Sequence, residues 1–200
     1  MLTTNIIQRV LFVNYNNLTG TAFTIEKNGK QYLISAKHIF PDLTTASQIK
    51  VFHDGSWKTL NITPIFCKDK NIDIIAFDIG SKYLTPVHKV NLGMSNIYYS
   101  QDAYFLGFPY GMFTDSGIIN NNFPFPFAKK CIISAINKRI IYFDGHNNRG
   151  FSGGPVVIVE KDNLIKIIGV VSAFLGDSVN RTENSGIFYC HAIDNIIEVL

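Results

Sequence analysis

The chain has 200 residues, of which 46% are hydrophobic and 16% charged, with a formal net charge of +3. That length suits one large domain or two small ones with a sizeable core, and the composition excludes an intrinsically disordered chain. So slight a positive excess gives no basis for a nucleic-acid partner or an anionic membrane surface, and short basic blocks such as Lys129-Lys130 are expected on the solvated surface.

The first fifteen residues, MLTTNIIQRVLFVNY, carry no basic residue before their apolar part and no small-residue cleavage site. They are expected to form a first strand and not a secretion signal. Further on, the apolar run from Ile165 to Leu175 is interrupted by Lys166 and Gly169 and is too short to span a membrane. Cys67, Cys131 and Cys190 are odd in number, widely spaced and embedded in apolar segments. They imply neither a disulfide framework nor a metal site, so a reducing, cytoplasmic setting is expected over a secreted one. Asn-Xaa-Thr triplets at Asn17, Asn61 and Asn180 carry no weight in so asparagine-rich a chain.

Helical periodicity is nearly absent, and short β-branched and aromatic runs dominate. In chain order, strands are predicted over Ile6 to Tyr15, Thr21 to Glu26, Gln31 to Ser35, Gln48 to His53, Trp57 to Phe66 and Asp73 to Asp78. Asn28-Gly29 and Asp54-Gly55 are dipeptides that two-residue hairpins favour. Residues 81–100 read as a crossover link carrying Pro86 and Gly93. Strands resume over Asp102 to Phe108, Lys130 to Ile136, Arg139 to Phe143, Pro155 to Glu160, Ile165 to Ala173 and Gly186 to Ala192, with Asp162-Asn163 as a further turn. Asp194 is a suitable N-cap for a short terminal helix placing Ile196, Ile197 and Leu200 on one face. Two equal sets of strands predict an all-β chain of two six-stranded antiparallel barrels, one in residues 1–80 and one in residues 101–200.

The stretch 149-RGFSGGPVV-157 raises the question of chemistry. Acyl transfer by a serine needs a base within reach, a carboxylate to orient that base, and backbone donors for the developing oxyanion. Ser152 sits on a glycine-rich turn where the N–H groups of Gly150 and Ser152 can converge on one oxygen, and Gly150 presents its amide with no Cβ in the way. His38, in 33-LISAKHIF-40, and Asp73, in 71-NIDIIAFDI-79, are candidates for base and acid.

These residues, in this order, resemble the trypsin/chymotrypsin superfamily, in which the triad runs His, Asp, Ser along the chain. The segments 20-GTAF-23, 105-FLGFPYG-111, 133-ISA-135 and 144-DGHNNRGFSGGP-155 are similar to the bacterial Deg-type (high-temperature-requirement) branch. The resemblance covers nearly the whole chain. It implies a serine endopeptidase with His38 as base, Asp73 as orienting acid, Ser152 as nucleophile, and Gly150 and Ser152 as the oxyanion hole. It implies a polypeptide substrate, no metal and no organic cofactor; no oligomeric state follows from it. A separation of 73 − 38 = 35 residues leaves room for the rest of the first barrel, and 152 − 73 = 79 residues cross into the second.

By the same resemblance His146, six residues before the serine, lies at the base of the specificity pocket, with Ser172, Ala173 and Phe174 as its wall. Phe174 narrows the mouth and predicts a small or aliphatic P1 residue, while His146 offers an acidic or amide P1 as the alternative. Two departures stand out. Ile39 replaces the cysteine that follows the histidine in extracellular members, and Phe151 replaces the acid that receives a freed N-terminus. Activation by N-terminal trimming is therefore not expected, and the packing of Phe151 is expected to order the turn. Within these residues no peptide-binding PDZ domain is expected. The competing reading is a binding module of the same fold, a silent pseudoprotease that holds peptides. His53, His88 and His191 have no metal-ligand spacing and are expected to be structural. The segment 120-NNNFPFPFAKK-130 is expected to tuck against the barrel, its exposure as a docking surface being the alternative.

Overall fold

The computed structural model describes residues 2–81, 83–161, 163–176 and 183–200. Asp162 of the expected third turn and Asn180 of the third glycosylation-type triplet lie outside them. The first barrel consists of β1 (Val10–Tyr15), β2 (Leu18–Lys27), β3 (Lys30–Ser35), β4 (Ser47–His53), β5 (Ser56–Phe66) and β6 (Ile75–Asp78), closed in the order β1-β2-β3-β6-β5-β4. Its hairpins turn on residue pairs with positive φ: Asn28-Gly29 at 52° and 75°, and Asp54-Gly55 at 51° and 66°. A third pair, Asn16-Asn17 at 47° and 67°, joins β1 to β2. Asparagine tolerates this region because its short amide can bond locally.

The N-terminal segment departs from the expected strand. Residues Thr4–Ile7 form one helical turn, α1, and β1 begins only at Val10. The pairing of β1 with β2 ends at Val10 opposite Phe23, and the next available donor, Thr24 N–H, is taken by Arg9 O at 3.0 Å. The Arg9 side chain is buried there, bonded to Thr24 O at 3.1 Å and to Glu26 at 2.7–2.9 Å.

After the link come β7 (Asn91–Leu92), β8 (Asp102–Gly107), β9 (Phe127–Asn137), β10 (Ile140–Asp144), β11 (Pro155–Val159), β12 (Ile165–Gly176) and β13 (Asn184–Ala192). The second barrel runs β11-β8-β9-β10-β13-β12 and closes through β11 against β12. Short β7 pairs in parallel with Lys166 and Ile167 of β12, ahead of the point where β13 takes over at Gly169. The chain ends in α2 (Asp194–Ile197). Asp194 is its first helical residue and not the N-cap: Ile193 holds that position in right-handed helical geometry, with no side-chain cap.

Alternation along the strands divides the core into three. In β3, Leu33 points into the first barrel with Leu11, Val51 and Phe77, whereas Ile34 points the other way. Ile34, Phe12, Phe23 and Ile74 meet Leu106, Phe108, Val157, Ile167 and Val170 of the second barrel in a shared apolar layer. The second barrel's interior is filled by Phe105, Phe143, Val156, Ile168 and Phe188, with Phe143 and Phe188 stacked at 4.9 Å. Each fully buried side chain of this size contributes about 1.5–3 kcal/mol, so the shared layer is a strong clamp between the barrels. The three cysteines are free and buried, and burial pushes the Cys67 thiol up to about 12. Among the described residues no helix is long and apolar enough to cross a membrane, and no cluster of metal-ligating side chains occurs.

Candidate active site

Strand β3 ends at Ser35, and the chain turns into one 3-10 turn, Lys37–Ile39, held down by Ile39 and Phe40, both nearly inaccessible. His38 is thereby left half-exposed immediately before this anchored pair. Asp73 lies just before β6, between buried Ile72 and Ile74. Its carboxylate grips His38 twice: Oδ1 accepts the His38 backbone N–H at 2.9 Å, and Oδ2 lies 2.7 Å from the ring Nδ1. The Ser172 hydroxyl, from β12, donates to the same Oδ2 at 2.5 Å. Burial works to raise the Asp73 pKa, but the hydrogen bond and charge of His38, the Ser172 hydroxyl and the backbone N–H together outweigh it. The carboxyl is held below the ordinary aspartate range.

Ser152 comes from the opposite barrel, at the turn leading into β11. Its hydroxyl donates to Ser172 O at 3.1 Å, and among the described residues no hydrogen bond joins it to His38. Phe151 is 1% exposed and packs edge-on against Phe105 at 4.8 Å. It anchors the turn by packing. Lys129 reinforces the anchor: Nζ lies 5.8 Å from the Phe151 ring, donates to Asn148 Oδ1 at 3.1 Å and bonds to His146 O. The expectation of solvated surface therefore holds for Lys130, paired with Asp102 at 2.7 Å, but not for Lys129, whose pKa is lowered by burial.

Two further contacts fix the turn. Tyr110, at φ 53°, donates its N–H to Arg149 O at 2.8 Å. In a trans peptide C=O and N–H are opposed, so pinning the Arg149 carbonyl on Tyr110 sends the Gly150 N–H the other way. Among the described residues neither Gly150 N–H nor Ser152 N–H has a hydrogen-bond partner. From the first barrel, Thr21 donates N–H to Ser152 O at 2.9 Å and its hydroxyl to Gly150 O at 2.7 Å. Gly150, at φ 100°, lies so close to Phe108 O that a Cβ would overlap it, and one at Gly153 would overlap Thr21 O.

A cavity of about 600 Å³ brings His38, Asp73, Ser152, Ser172, Ala173 and Phe174 together. Gly150 lies on its neighbouring turn. His146 does not line it: the residue is exposed, with its carbonyl held by Lys129. Asn147 lines the cavity instead, together with Tyr189 and His191. His191 was expected to be merely structural. It is buried, its Nδ1 has no partner, and burial lowers its pKa. Only the β12–β13 register, Val170 opposite His191, brings it here. His53 and His88 do make structural contacts, with Asn121 O at 2.9 Å and Gln8 Oε1 at 3.1 Å. His53 also packs on Phe123 at 4.4 Å, so the Phe-Pro segment tucks at this end.

Two closed antiparallel barrels with a cleft between them define the trypsin-like double-barrel fold. The chain superposes on Rv3671c from M. tuberculosis H37Rv, a serine-to-alanine mutant in its inactive form, with a TM-score of 0.63 and 15% identity over 97% of this chain and 85% of that one. The serine endoprotease from Yersinia pestis gives a TM-score of 0.67 and 19% identity, over 98% of this chain and 62% of that one. The HtrA-type protease AlgW, solved with a tripeptide, gives 0.67 and 22%, over 98% and 60%. The chain thus spans about three fifths of the length of these last two proteins. At such identities the shared property is the fold. No family model matches the sequence, and no curated protein matches it.

Proposed function

We propose that this chain is a serine endopeptidase acting on extended polypeptide segments through His38, Asp73 and Ser152. The observation that carries the reading is the doubly bonded His38–Asp73 pair of one barrel sharing a cavity with the Ser152 turn of the other. Residues 1–80 supply base and acid, residues 101–200 supply the nucleophile, and residues 81–100 connect them. The structural neighbours described as serine proteases support the same reading.

Asp73, ionised, accepts the Nδ1 proton of His38 and leaves Nε2 as the free base. For catalysis the Ser152 hydroxyl must leave Ser172 O and turn to His38 Nε2, a change of side-chain rotamer. The alkoxide oxygen attacks the scissile carbonyl as His38 takes the proton, and the N–H groups of Gly150 and Ser152 receive the oxyanion. His38 returns the proton to the leaving amine, giving an acyl-enzyme, and water deacylates it by the same steps in reverse. The backbone of Ser172, Ala173 and Phe174 offers an edge along which the substrate extends.

A fluorophosphonate probe tests the reading. Covalent labelling that disappears in Ser152→Ala is expected; a folded wild type that never labels would sink it. The bond of the Ser152 hydroxyl to Ser172 O in place of His38 favours one competing reading, a silent peptide-binding module. That reading predicts peptide binding without Ser152-dependent cleavage.

A further inference from the structure

Asn147 is 2% exposed, lines the cavity beside Ser152, and has a side-chain Oδ1 with no hydrogen-bond partner. Its backbone is occupied, since Asn147 O accepts from Asn184 Nδ2. Among the described residues its Nδ2 is unpartnered too. A fully buried acceptor left in this condition costs free energy that a donor on a suitable ligand recovers on binding. With neither end held, rotation of the carboxamide about its last torsion presents donor and acceptor alike.

We propose that Asn147 is the specificity-determining residue of this cavity and selects a substrate whose P1 side chain is a carboxamide, glutamine or asparagine. This rests on the hydrolase reading above. A carboxamide supplies a donor for Oδ1 and an acceptor for Nδ2 side by side in one planar group, whereas the donor and acceptor of a neutral imidazole diverge. A carboxylate has no donor, so it leaves Oδ1 unpaired. Among the described residues a cation finds no free acid here, because Asp73, the carboxylate of the lining, is already engaged by His38 and Ser172, while Arg149 stands at the wall. Ala173, Phe174 and Tyr189 supply flat apolar walls for the methylene stem. The carboxamide takes the place of the small or aliphatic residue expected from Phe174 alone, because the polar group at the site belongs to Asn147 and not to exposed His146.

Peptides identical except for Gln, Asn, Leu, Glu or Arg at P1 test the assignment, by kcat/KM with wild type and by fluorescence anisotropy with Ser152→Ala. Gln or Asn is expected to exceed Leu and Glu by about tenfold or more, one hydrogen bond being the difference. Asn147→Leu should abolish that ratio. Should this variant misfold, Asn147→Asp, close in shape, is expected to move the preference to Arg, a gain that unfolding does not imitate. Equal or faster turnover of the Leu peptide, or an Asn147→Asp variant with unaltered preference, overturns the assignment. If no peptide is cleaved but Ser152→Ala still binds carboxamide peptides selectively, the hydrolase reading fails and the role of Asn147 stands.

Discussion

The Tyr110 N–H and the Arg149 carbonyl, 2.8 Å apart, join the loop after β8 to the turn that carries Ser152. Tyr110 reaches the carbonyl only because it adopts φ 53°. Proline is barred from that conformation and has no N–H, so Tyr110→Pro should release the Arg149 peptide and misdirect the Gly150 N–H. Loss of one oxyanion donor lowers kcat by about 10²–10³-fold. Tyr110→Gly, which keeps the N–H and accepts positive φ, should stay near wild type. Equal kcat in the two variants would show that this bond does not set the turn.

Ser172 gives its hydroxyl to Asp73 and its carbonyl to the Ser152 hydroxyl. Ser172→Ala removes only the first contact. A hydrogen bond to a charged group is worth about 1.5–3 kcal/mol, so peptide hydrolysis should fall by roughly ten- to a hundredfold in kcat/KM. The backbone contact to Ser152 survives, and circular dichroism should be unchanged.

Lys129 clasps Phe151, Asn148 and His146 while partly withdrawn from water. Lys129→Met keeps much of the stem and deletes the cationic head. A loss of about 2 kcal/mol in chemical-denaturation stability is expected, whereas Lys130→Met, on the surface, should change little.

His191 is lowered from its ordinary value near 6.5 by burial, with the field of Asp73 opposing the shift and Lys37 adding to it. The unfolded chain therefore binds a proton that the folded chain refuses. As pH falls through the ordinary value, stability is lost, and the loss continues down to the depressed folded value. Asp73 acts in a separate, lower window: its depressed pKa contributes stability that is complete above the ordinary carboxylate range and lost as pH falls through the folded value. Urea melts between pH 7 and pH 5 should show a slope in wild type that flattens in His191→Leu. An identical slope in both would assign it to other groups.

Much of the fold was readable because hairpins announce themselves. Asn28-Gly29 and Asp54-Gly55 turned as expected, and every predicted strand but the first lies within a few residues of its position. The first strand misled because Ile6 and Ile7 are apolar enough for a strand; instead the ladder stops at Val10, Arg9 taking the Thr24 N–H with its carbonyl and the Thr24 carbonyl with its side chain, and that depends on β2, distant in sequence. The juxtaposition of His38 and Asp73 was legible from order and flanking residues. Lys129, Asn147 and His191 were not, since each acquires its place from a strand register or a loop path that no local pattern records. Lys129 in particular reads as half of a surface basic pair, and only the pairing of β9 with Phe105 sets it over the aromatic rings.

Thr21 ties its own barrel to the other at three points, through Ser152 O, Gly150 O and the Phe108 N–H. Neither barrel possesses the finished turn by itself. A polypeptide cut in the 81–100 segment should therefore be silent as separate halves and regain Ser152 reactivity only on reassociation, making that reactivity a direct gauge of how completely the two halves have docked.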